Sequence, residues 1–203
     1  MTAFKICGIT READAELAAS LGAWAVGFVL WPKSPRHITI DGVCAIVRNL
    51  PPAVEPVGVF VDPTAEEVRA AADAGIRIAQ IHGEVPLVDL PVIRAVRLCG
   101  DGIEPAVGDA TILLDAHDPV RRGGTGTPID WHRAAAVARS RRVILAGGLR
   151  ADNVGEAIAV VKPFAVDVSS GVEAGPGIKD HERLRAFARA VMRRRPQRAQ
   201  PYE

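Results

Sequence analysis

The feature that most limits the possible folds is a regular alternation of short apolar runs with longer amphipathic segments. Apolar runs rich in β-branched residues predict strands, and segments with apolar residues three and four apart predict helices. Strands are predicted at residues 3–7, 24–30, 54–61, 77–82, 92–98, 110–115, 142–147 and 164–169. Helices are predicted at residues 11–21, 40–49, 64–74, 85–90, 103–107, 130–139, 151–161 and 180–194.

The strands are apolar on both faces, as in Val26–Leu30 and Ile112–Leu114, which is typical of a parallel sheet covered by helices. Eight such units in 203 residues predict one α/β domain over residues 1–203, a single (β/α)₈ TIM barrel. An open doubly wound sheet is the alternative, but it usually carries a glycine fingerprint after its first strand, which this chain lacks. Residues 195–203 lose the apolar period and are predicted to form a frayed tail.

Composition excludes several classes of partner. The chain has 25 basic and 24 acidic residues, so nothing in its charge favours nucleic acid or an anionic membrane surface. It has neither an apolar run of membrane-spanning length nor a signal peptide. Its three cysteines have no Cys-x-x-Cys spacing, which predicts reduced thiols in the cytoplasm rather than disulfides or zinc. We expect no metal and, although sequence does not determine the oligomeric state, we favour a monomer.

In such barrels the chemistry lies at the carboxyl ends of the strands. Cys7 ends the first strand, and a thiol near positive charge can act as a base at neutral pH, although a buried packing role is equally compatible with this position. Arg36 lies in a proline-stiffened loop and its planar fork suits a carboxylate, unless it is simply solvated. His82 ends the fourth strand and either bonds substrate or orients its neighbours. Cys44 and Cys99 are interpreted as packing residues.

Asp130 follows a loop that contains the glycine-rich run 123–126 and begins a predicted helix. It is a candidate acid, and helix capping is the alternative role. Asp115 closes the sixth strand and is a second candidate carboxyl at the same rim. The residues alone do not choose between them.

Two later loops predict a phosphate site. Small residues and backbone N–H groups after strands seven and eight are the usual phosphate cradle of such barrels, although tight turns would also explain the glycines. The candidate substrate-binding residues in and beside these loops are Gly147, Gly148, Asp167, Ser169, Ser170 and Gly171.

Taken together, these segments resemble the phosphoribosylanthranilate isomerase family over essentially the whole chain. The matching blocks are Lys5–Thr10, Ser34–Arg36, Val57–Val61, Gln80–Gly83, Leu113–Asp115, Gly123–Gly126 with Asp130–Trp131, Gly147–Leu149 and Val166–Glu173. The resemblance implies a barrel enzyme of tryptophan biosynthesis, an intramolecular oxidoreductase that converts N-(5′-phosphoribosyl)anthranilate into 1-(2-carboxyphenylamino)-1-deoxyribulose 5-phosphate. It implies Cys7 as general base, Asp130 as general acid and Arg36 as the ligand of the anthranilate carboxylate. This rearrangement needs no cofactor. Ile81 and Ile129 depart from the leucine and phenylalanine that are frequent in the family.

Three rival functions remain. A histidine-pathway isomerase performs the same rearrangement, but it is expected to use a pair of aspartates, one of them in the place of Cys7. A non-catalytic phosphate-ligand sensor would need neither Cys7 nor Asp130. A thiol enzyme with a covalent intermediate would need a histidine–carboxyl pair to activate the cysteine, and none is visible in the sequence.

Overall fold

Eight parallel strands form a closed barrel. The computed structural model describes residues 1–99, 102–104, 110–115 and 130–193. The barrel strands are β1 Ala3–Cys7, β2 Ala25–Val29, β3 Glu55–Val61, β4 Ile78–His82, β5 Val92–Cys99, β6 Thr111–Leu114, β7 Val143–Leu145 and β8 Ala165–Val168. Each pairs with the next, and β8 pairs with β1 with Lys5 opposite Asp167. This closure confirms the predicted barrel and rules out the open sheet.

Six helices cover the outside of this barrel in the described residues: α1 Glu12–Ser20, α2 Ile40–Val47, α3 Ala65–Asp73, α4 Trp131–Ala138, α5 Val154–Val161 and α6 His181–Met192. Local sequence fixes where several of them begin. Thr64 and Glu67 form a reciprocal capping box at α3, and Asp180 accepts two backbone N–H groups at the start of α6. Such caps satisfy amide groups that have no partner within the helix.

Strand alternation divides the apolar residues into two clusters. Ile6, Ala79, Ile81, Val166 and Val168 belong to the large core between the strands and the helices. A small cluster inside the barrel contains Ala25, Val57, Ile93, Ala95, Leu113, Ile144, Ala146 and Ala165. Because successive side chains of a strand point to opposite faces, the neighbours of the outward residues face the barrel axis. Polar side chains on β1, β4 and β8 are thereby directed into the barrel.

The two shortest predicted helices are wrong where the structure describes them. No helix forms at residues 85–90, because six residues allow barely one stable turn. Val85, Val88 and Leu90 instead pack against the core from irregular backbone, which explains their helix-like spacing. Within 103–107, residues up to 104 belong to a short strand, Gly102–Glu104, antiparallel to β5; residues 105–107 lie outside the described part.

After β8 the chain forms a 3₁₀ turn, Ser170–Val172, followed by a small antiparallel pair, Glu173–Gly175 with Ile178–Lys179. This segment returns across the carboxyl end of β1. No helix in the described ranges has the length and apolarity to cross a membrane. The predicted frayed tail, residues 195–203, lies outside the described residues, and the assignment of all 203 residues to one domain stays a prediction.

Candidate active site

Cys7 lies at the carboxyl end of β1 and faces the barrel axis. Its side chain is buried, with 8% of its surface exposed. Burial raises the pKa of the Cys7 thiol above its ordinary value, as does the carboxylate of Asp167, while the ammonium groups of Lys5 and Lys179 oppose the shift. The site therefore holds a thiol whose ionisation depends on the cations around it.

Arg36 reaches this end of β1 from the loop after β2, and Glu173 fixes its guanidinium. Arg36 Nε lies 2.9 and 3.1 Å from the two carboxylate oxygens of Glu173, and Nη2 lies 2.8 Å from Oε2. Glu173 therefore occupies the Nε edge of the planar group, which leaves the N–H groups of Nη1 and the second one of Nη2. That second edge can bind another carboxylate bidentately.

The pair is held in a low-dielectric setting. Hydrogen bonds to Glu173 raise the pKa of Arg36. Burial raises the pKa of Glu173, but Arg36 and Lys179 outweigh it, so the pKa of this carboxyl is lowered. Glu173 is thus a carboxylate with two cationic partners, and Arg36 keeps its charge beside it.

Lys179 ties the end of β1 to the segment after β8. Its side chain is fully buried; Nζ donates to Glu173 Oε1 at 2.8 Å and to the backbone oxygen of Cys7. Burial lowers the pKa of Lys179, with Glu173 opposing this shift. The ammonium group therefore connects the backbone of the candidate base to the carboxylate that orients Arg36.

Gly8 allows Arg36 and Ser169 to approach the backbone directly after β1. Its φ is +75°, and a Cβ at this position would lie 2.7 Å from Arg36 Cδ and 3.1 Å from Ser169 Oγ. Ser169 Oγ is buried and has no hydrogen-bond partner among the described residues. A buried polar atom without a partner is costly unless a ligand completes it, so Ser169 offers a hydroxyl to a bound molecule.

His82 and Gln80 face the axis from β4. Their side chains meet at 3.2 Å between Gln80 Nε2 and His82 Nε2. Gln80 is 2% exposed, and its Oε1 lacks a partner within the described part of the chain. His82 therefore lies at the carboxyl end of β4 with a buried acceptor, Gln80 Oε1, beside it; its contact with substrate stays a prediction.

The loops after β7 and β8 are in direct contact, as the predicted phosphate cradle requires. A Cβ on Gly171 would lie 2.0 Å from the backbone oxygen of Leu149, so only glycine permits this approach. Gly147 and Gly148 both have positive φ, at 86° and 69°. The two loops thus present backbone at one corner of the barrel mouth, and Ser170 is exposed there. Phosphate binding at this corner stays a prediction.

Asp167 lies deeper than the other residues of the predicted cradle. Its carboxylate is 8% exposed and is 2.9 Å from Lys5 Nζ, on the neighbouring strand β1. The structure gives this residue an ion pair inside the barrel. Its predicted contact with substrate stays a prediction.

Asp130 caps α4. Its Oδ1 accepts the backbone N–H groups of His132 and Arg133 at 3.0 and 3.1 Å, and the side chain is exposed. The structure therefore confirms helix capping, the alternative role of Asp130. The role of Asp130 as an acid is a separate prediction. The glycine-rich run 123–126 lies outside the described residues. Asp115, the other candidate, follows β6, and its N–H bonds to Val96 O.

A cavity of about 220 Å³ lies outside the barrel, between the loop after β2 and α3. Trp31, His37, Phe60 and Glu67 are among its lining residues, whereas Cys7 and Arg36 are not. Strand-end geometry, rather than the size of this cavity, therefore locates the candidate site. No group of three metal-binding side chains occurs among the residues that the structure describes.

Sequence reasoning gave no role to four residues at this site: Lys5, Gln80, Glu173 and Lys179. All are polar and buried: Lys5, Glu173 and Lys179 belong to the charged groups around Cys7, and Gln80 contacts His82. Strand alternation around Cys7 and His82 could have identified Lys5 and Gln80. Glu173 ends the family block Val166–Glu173, but nothing local identifies its partner Arg36, which lies 137 residues away.

The chain is similar to proteins of known activity along most of its length. Residues 4–190 match the family model of N-(5′-phosphoribosyl)anthranilate isomerase. The N-(5′-phosphoribosyl)anthranilate isomerase of Geobacter sp. strain M21 is 46% identical, over 92% of this chain and 96% of the relative. The phosphoribosyl anthranilate isomerase of Thermotoga maritima has a TM-score of 0.82 at 38% identity, over 94% of this chain and 98% of that one.

A further solved phosphoribosyl anthranilate isomerase was crystallised in complex with reduced 1-(o-carboxyphenylamino)-1-deoxyribulose 5-phosphate. Its TM-score to this chain is 0.79 at 37% identity, and the match covers 94% of this chain and 98% of that structure.

Proposed function

The chain belongs to the N-(5′-phosphoribosyl)anthranilate isomerase family, and we propose that it catalyses the isomerisation of N-(5′-phosphoribosyl)anthranilate in tryptophan biosynthesis. The product is 1-(2-carboxyphenylamino)-1-deoxyribulose 5-phosphate. The observation that carries the proposal is the meeting of Cys7, the oriented guanidinium of Arg36 and the touching β7 and β8 loops at one end of the barrel. A base, a carboxylate ligand and a phosphate cradle are the groups that this phosphosugar needs.

The first chemical step is ring opening. We assign Asp130 as the acid that protonates the ribose ring oxygen while the bond from that oxygen to C1′ breaks. The lone pair of the anthranilate nitrogen then forms the C1′=N bond, which gives an iminium. The support for Asp130 is its place after β6 at the start of α4, within the family motif.

Proton removal from C2′ follows. The Cys7 thiolate accepts this proton, the C2′–H electron pair forms the C1′=C2′ bond, and nitrogen recovers its lone pair. The resulting enolamine tautomerises when C1′ gains a proton and the C2′ hydroxyl loses one, giving the ketone. Oxidation at C2′ balances reduction at C1′, so the sequence consumes no external oxidant or reductant. An acid and a base each contribute roughly 10²–10⁴-fold to such reactions.

Binding uses three parts of the barrel mouth. We assign the unoccupied edge of the Arg36 guanidinium to the anthranilate carboxylate, and the loops with Gly147, Gly148, Ser170 and Gly171 to the phosphate. We assign Ser169, His82 and Gln80 to the ribose hydroxyls; the support is the buried, unpartnered Ser169 Oγ and Gln80 Oε1 and the contact of Gln80 with His82. The two anchors fix the ends of the substrate, which places the reacting carbons over Cys7.

A paired substitution tests the carboxylate site. Arg36→Met should raise KM for phosphoribosylanthranilate by about 10-fold or more, because a charge-assisted bidentate contact contributes on the order of 1.5–3 kcal/mol. Glu173→Gln should raise KM in the same direction but less, since Arg36 keeps its charge and loses its fixed orientation. Steady-state kinetics measures both. An unchanged KM in Arg36→Met would mean that another group binds the carboxylate.

The activity itself is tested by the loss of phosphoribosylanthranilate fluorescence with purified protein, corrected for spontaneous breakdown of the substrate. Enzyme-dependent loss with identification of the deoxyribulose product supports the proposal. No acceleration would refute it. Testing the histidine-pathway phosphosugar in parallel distinguishes the rival isomerase. That enzyme is expected to use an aspartate in the place of Cys7, and this chain has no carboxylate there.

We further propose that the protein acts as a cytoplasmic monomer. The large apolar side chains exposed in the described residues are few and lie in different parts of the chain: Met1, Leu87, Ile178 and Met192. Cys7 and Cys44 are free thiols, which suits a reducing compartment. Native mass spectrometry gives the oligomeric state directly.

A further inference from the structure

A buried ion pair inside the barrel has no role in the mechanism above. Lys5 on β1 is fully buried, Asp167 on β8 is 8% exposed, and their charged atoms are 2.9 Å apart. Desolvation of two charges offsets most of what such a pair gains, and apolar replacements are often equally stable. A contribution to the stability of the fold is therefore a weak explanation for the presence of the Lys5 ammonium group inside the barrel.

Lys5 extends toward the candidate base. Lys5 and Cys7 are two residues apart on β1, so both face the axis, and Gly27 on β2 lies opposite Cys7. A Cβ on Gly27 would be 3.0 Å from Cys7 Sγ and 3.0 Å from Lys5 Nζ. The sulfur and the ammonium are therefore separated by at most twice that distance. The absence of a side chain at position 27 keeps the space between them open.

The charged groups around the sulfur come from several elements. Lys5 lies on β1, Asp167 on β8, and Lys179, Glu173 and Arg36 on the segments that cross the end of β1. Glu173 is already paired with both Arg36 and Lys179, and Asp167 is paired with Lys5. Burial raises the pKa of Cys7, and among the ionic groups Lys5 opposes this shift most strongly, ahead of Lys179. Removal of Lys5 would leave the effect of burial less opposed.

We propose that Lys5, oriented by Asp167, is a positioning residue that stabilises the Cys7 thiolate and so keeps the general base available in a buried site. Lys5 remains protonated throughout and transfers no proton to the substrate. Its ammonium offsets the negative charge of the sulfur before proton abstraction. The effect of Lys5 on catalysis rests on the proposed function. The electrostatic coupling between Lys5 and Cys7 is independent of that function.

Lys5→Met tests this assignment because methionine keeps the length of the side chain and removes the charge. Since thiolate is the active form, kcat/KM should rise with pH through the pKa of Cys7. In the variant that limb should move to higher pH by about one unit, which corresponds to roughly a tenfold loss of activity below both values. The ratio of wild-type to variant activity should approach one above both values, and KM should change little. Lys5→Arg should recover most of the shift.

A second readout does not depend on turnover. The rate of alkylation of Cys7 by iodoacetamide, followed on the Cys7 peptide by mass spectrometry, reports its thiolate fraction at each pH. Lys162→Met removes an exposed lysine and is the matched control, expected to alkylate as wild type does. If Lys5→Met does not fold, Gly27→Ala replaces it, because the added methyl group must displace Nζ or Sγ and should shift the profile in the same direction.

The outcomes separate the two proposals. Equal alkylation profiles in wild type and Lys5→Met would overturn the role of Lys5 even in an active isomerase. A pH-independent loss of activity in both Lys5→Met and Lys5→Arg would also overturn it, because that pattern indicates a purely structural residue. A shifted profile in a protein that does not isomerise phosphoribosylanthranilate would keep the coupling and refute the proposed function.

Discussion

Cys7→Ser is expected to lower kcat by about 10²–10⁴-fold, the range of a lost general base, with little change in affinity for the phosphate end of the substrate. A serine hydroxyl ionises far above neutral pH and cannot provide the base that takes the C2′ proton. The loops that we assign to the phosphate follow β7 and β8, on separate strands from Cys7, so they should be undisturbed. Rapid-mixing kinetics for kcat and inhibition by a product analogue for affinity measure the two effects separately.

Cys44→Ser is the control for Cys7→Ser. Cys44 lies on α2, outside the barrel, and the same exchange of sulfur for oxygen there should leave kcat unchanged. Near-normal turnover in Cys7→Ser would refute the assignment of Cys7 as base. A loss of similar size in both variants would point to unfolding, which circular dichroism would reveal.

Asp130→Asn is expected to give the second-largest loss, also within about 10²–10⁴-fold in kcat. Asparagine caps helices as well as aspartate does, and its Oδ1 can accept the N–H groups of His132 and Arg133. The substitution therefore retains the start of α4 and removes only the ionisable proton. Because the sugar ring also opens spontaneously, the residual activity should exceed that of Cys7→Ser. Steady-state turnover at saturating substrate is the measurement.

Asp180→Asn provides a matched control for this variant. Asp180 caps α6 in the same way, with Oδ1 accepting two N–H groups at 3.0 Å, and has no assigned part in the chemistry. We therefore expect Asp180→Asn, which loses only a charged helix cap, to have the turnover of the wild type. If Asp130→Asn behaved like Asp180→Asn, Asp130 would be a structural cap only, and the acid would have to be sought elsewhere, with Asp115 as the first candidate.

Local sequence was sufficient for the parts of the fold that depend on short-range patterns. The eight apolar runs are the eight barrel strands, and the caps at Thr64 and Asp130 begin helices within one or two residues of the predicted positions. The helix prediction at residues 85–90 was wrong because apolar spacing indicates only which residues are buried, not which backbone conformation buries them. Val85, Val88 and Leu90 are partly buried from irregular backbone, as they would be from a helix.

Site residues could be predicted only where their own position at the end of a predicted strand identified them. Cys7, His82 and the small-residue loops stand at strand ends, so strand prediction located them. The partners that set their electrostatics are distant in sequence: Asp167 is 162 residues from Lys5, and Lys179 is 172 from Cys7. Pairing at such separation follows from closure of the barrel, which no local pattern encodes. Likewise, the sequence shows that positions 8 and 27 are glycines, but it does not show which side chains pack against them.

The seam between β1 and β8 also orders the events of folding. Its pairing joins the earliest and the latest strands of the barrel, so the entropy of closing nearly the whole sheet must be lost before these contacts form. During synthesis β1 leaves the ribosome long before β8, and until β8 and the segment after it arrive, Lys5 lacks its partner Asp167 and the backbone oxygen of Cys7 lacks the hydrogen bond from Lys179. In unfinished chains the Cys7 thiol therefore ionises like any exposed cysteine, and both the burial that raises its pKa and the cations that oppose this shift are complete only once β8 and Lys179 have been added.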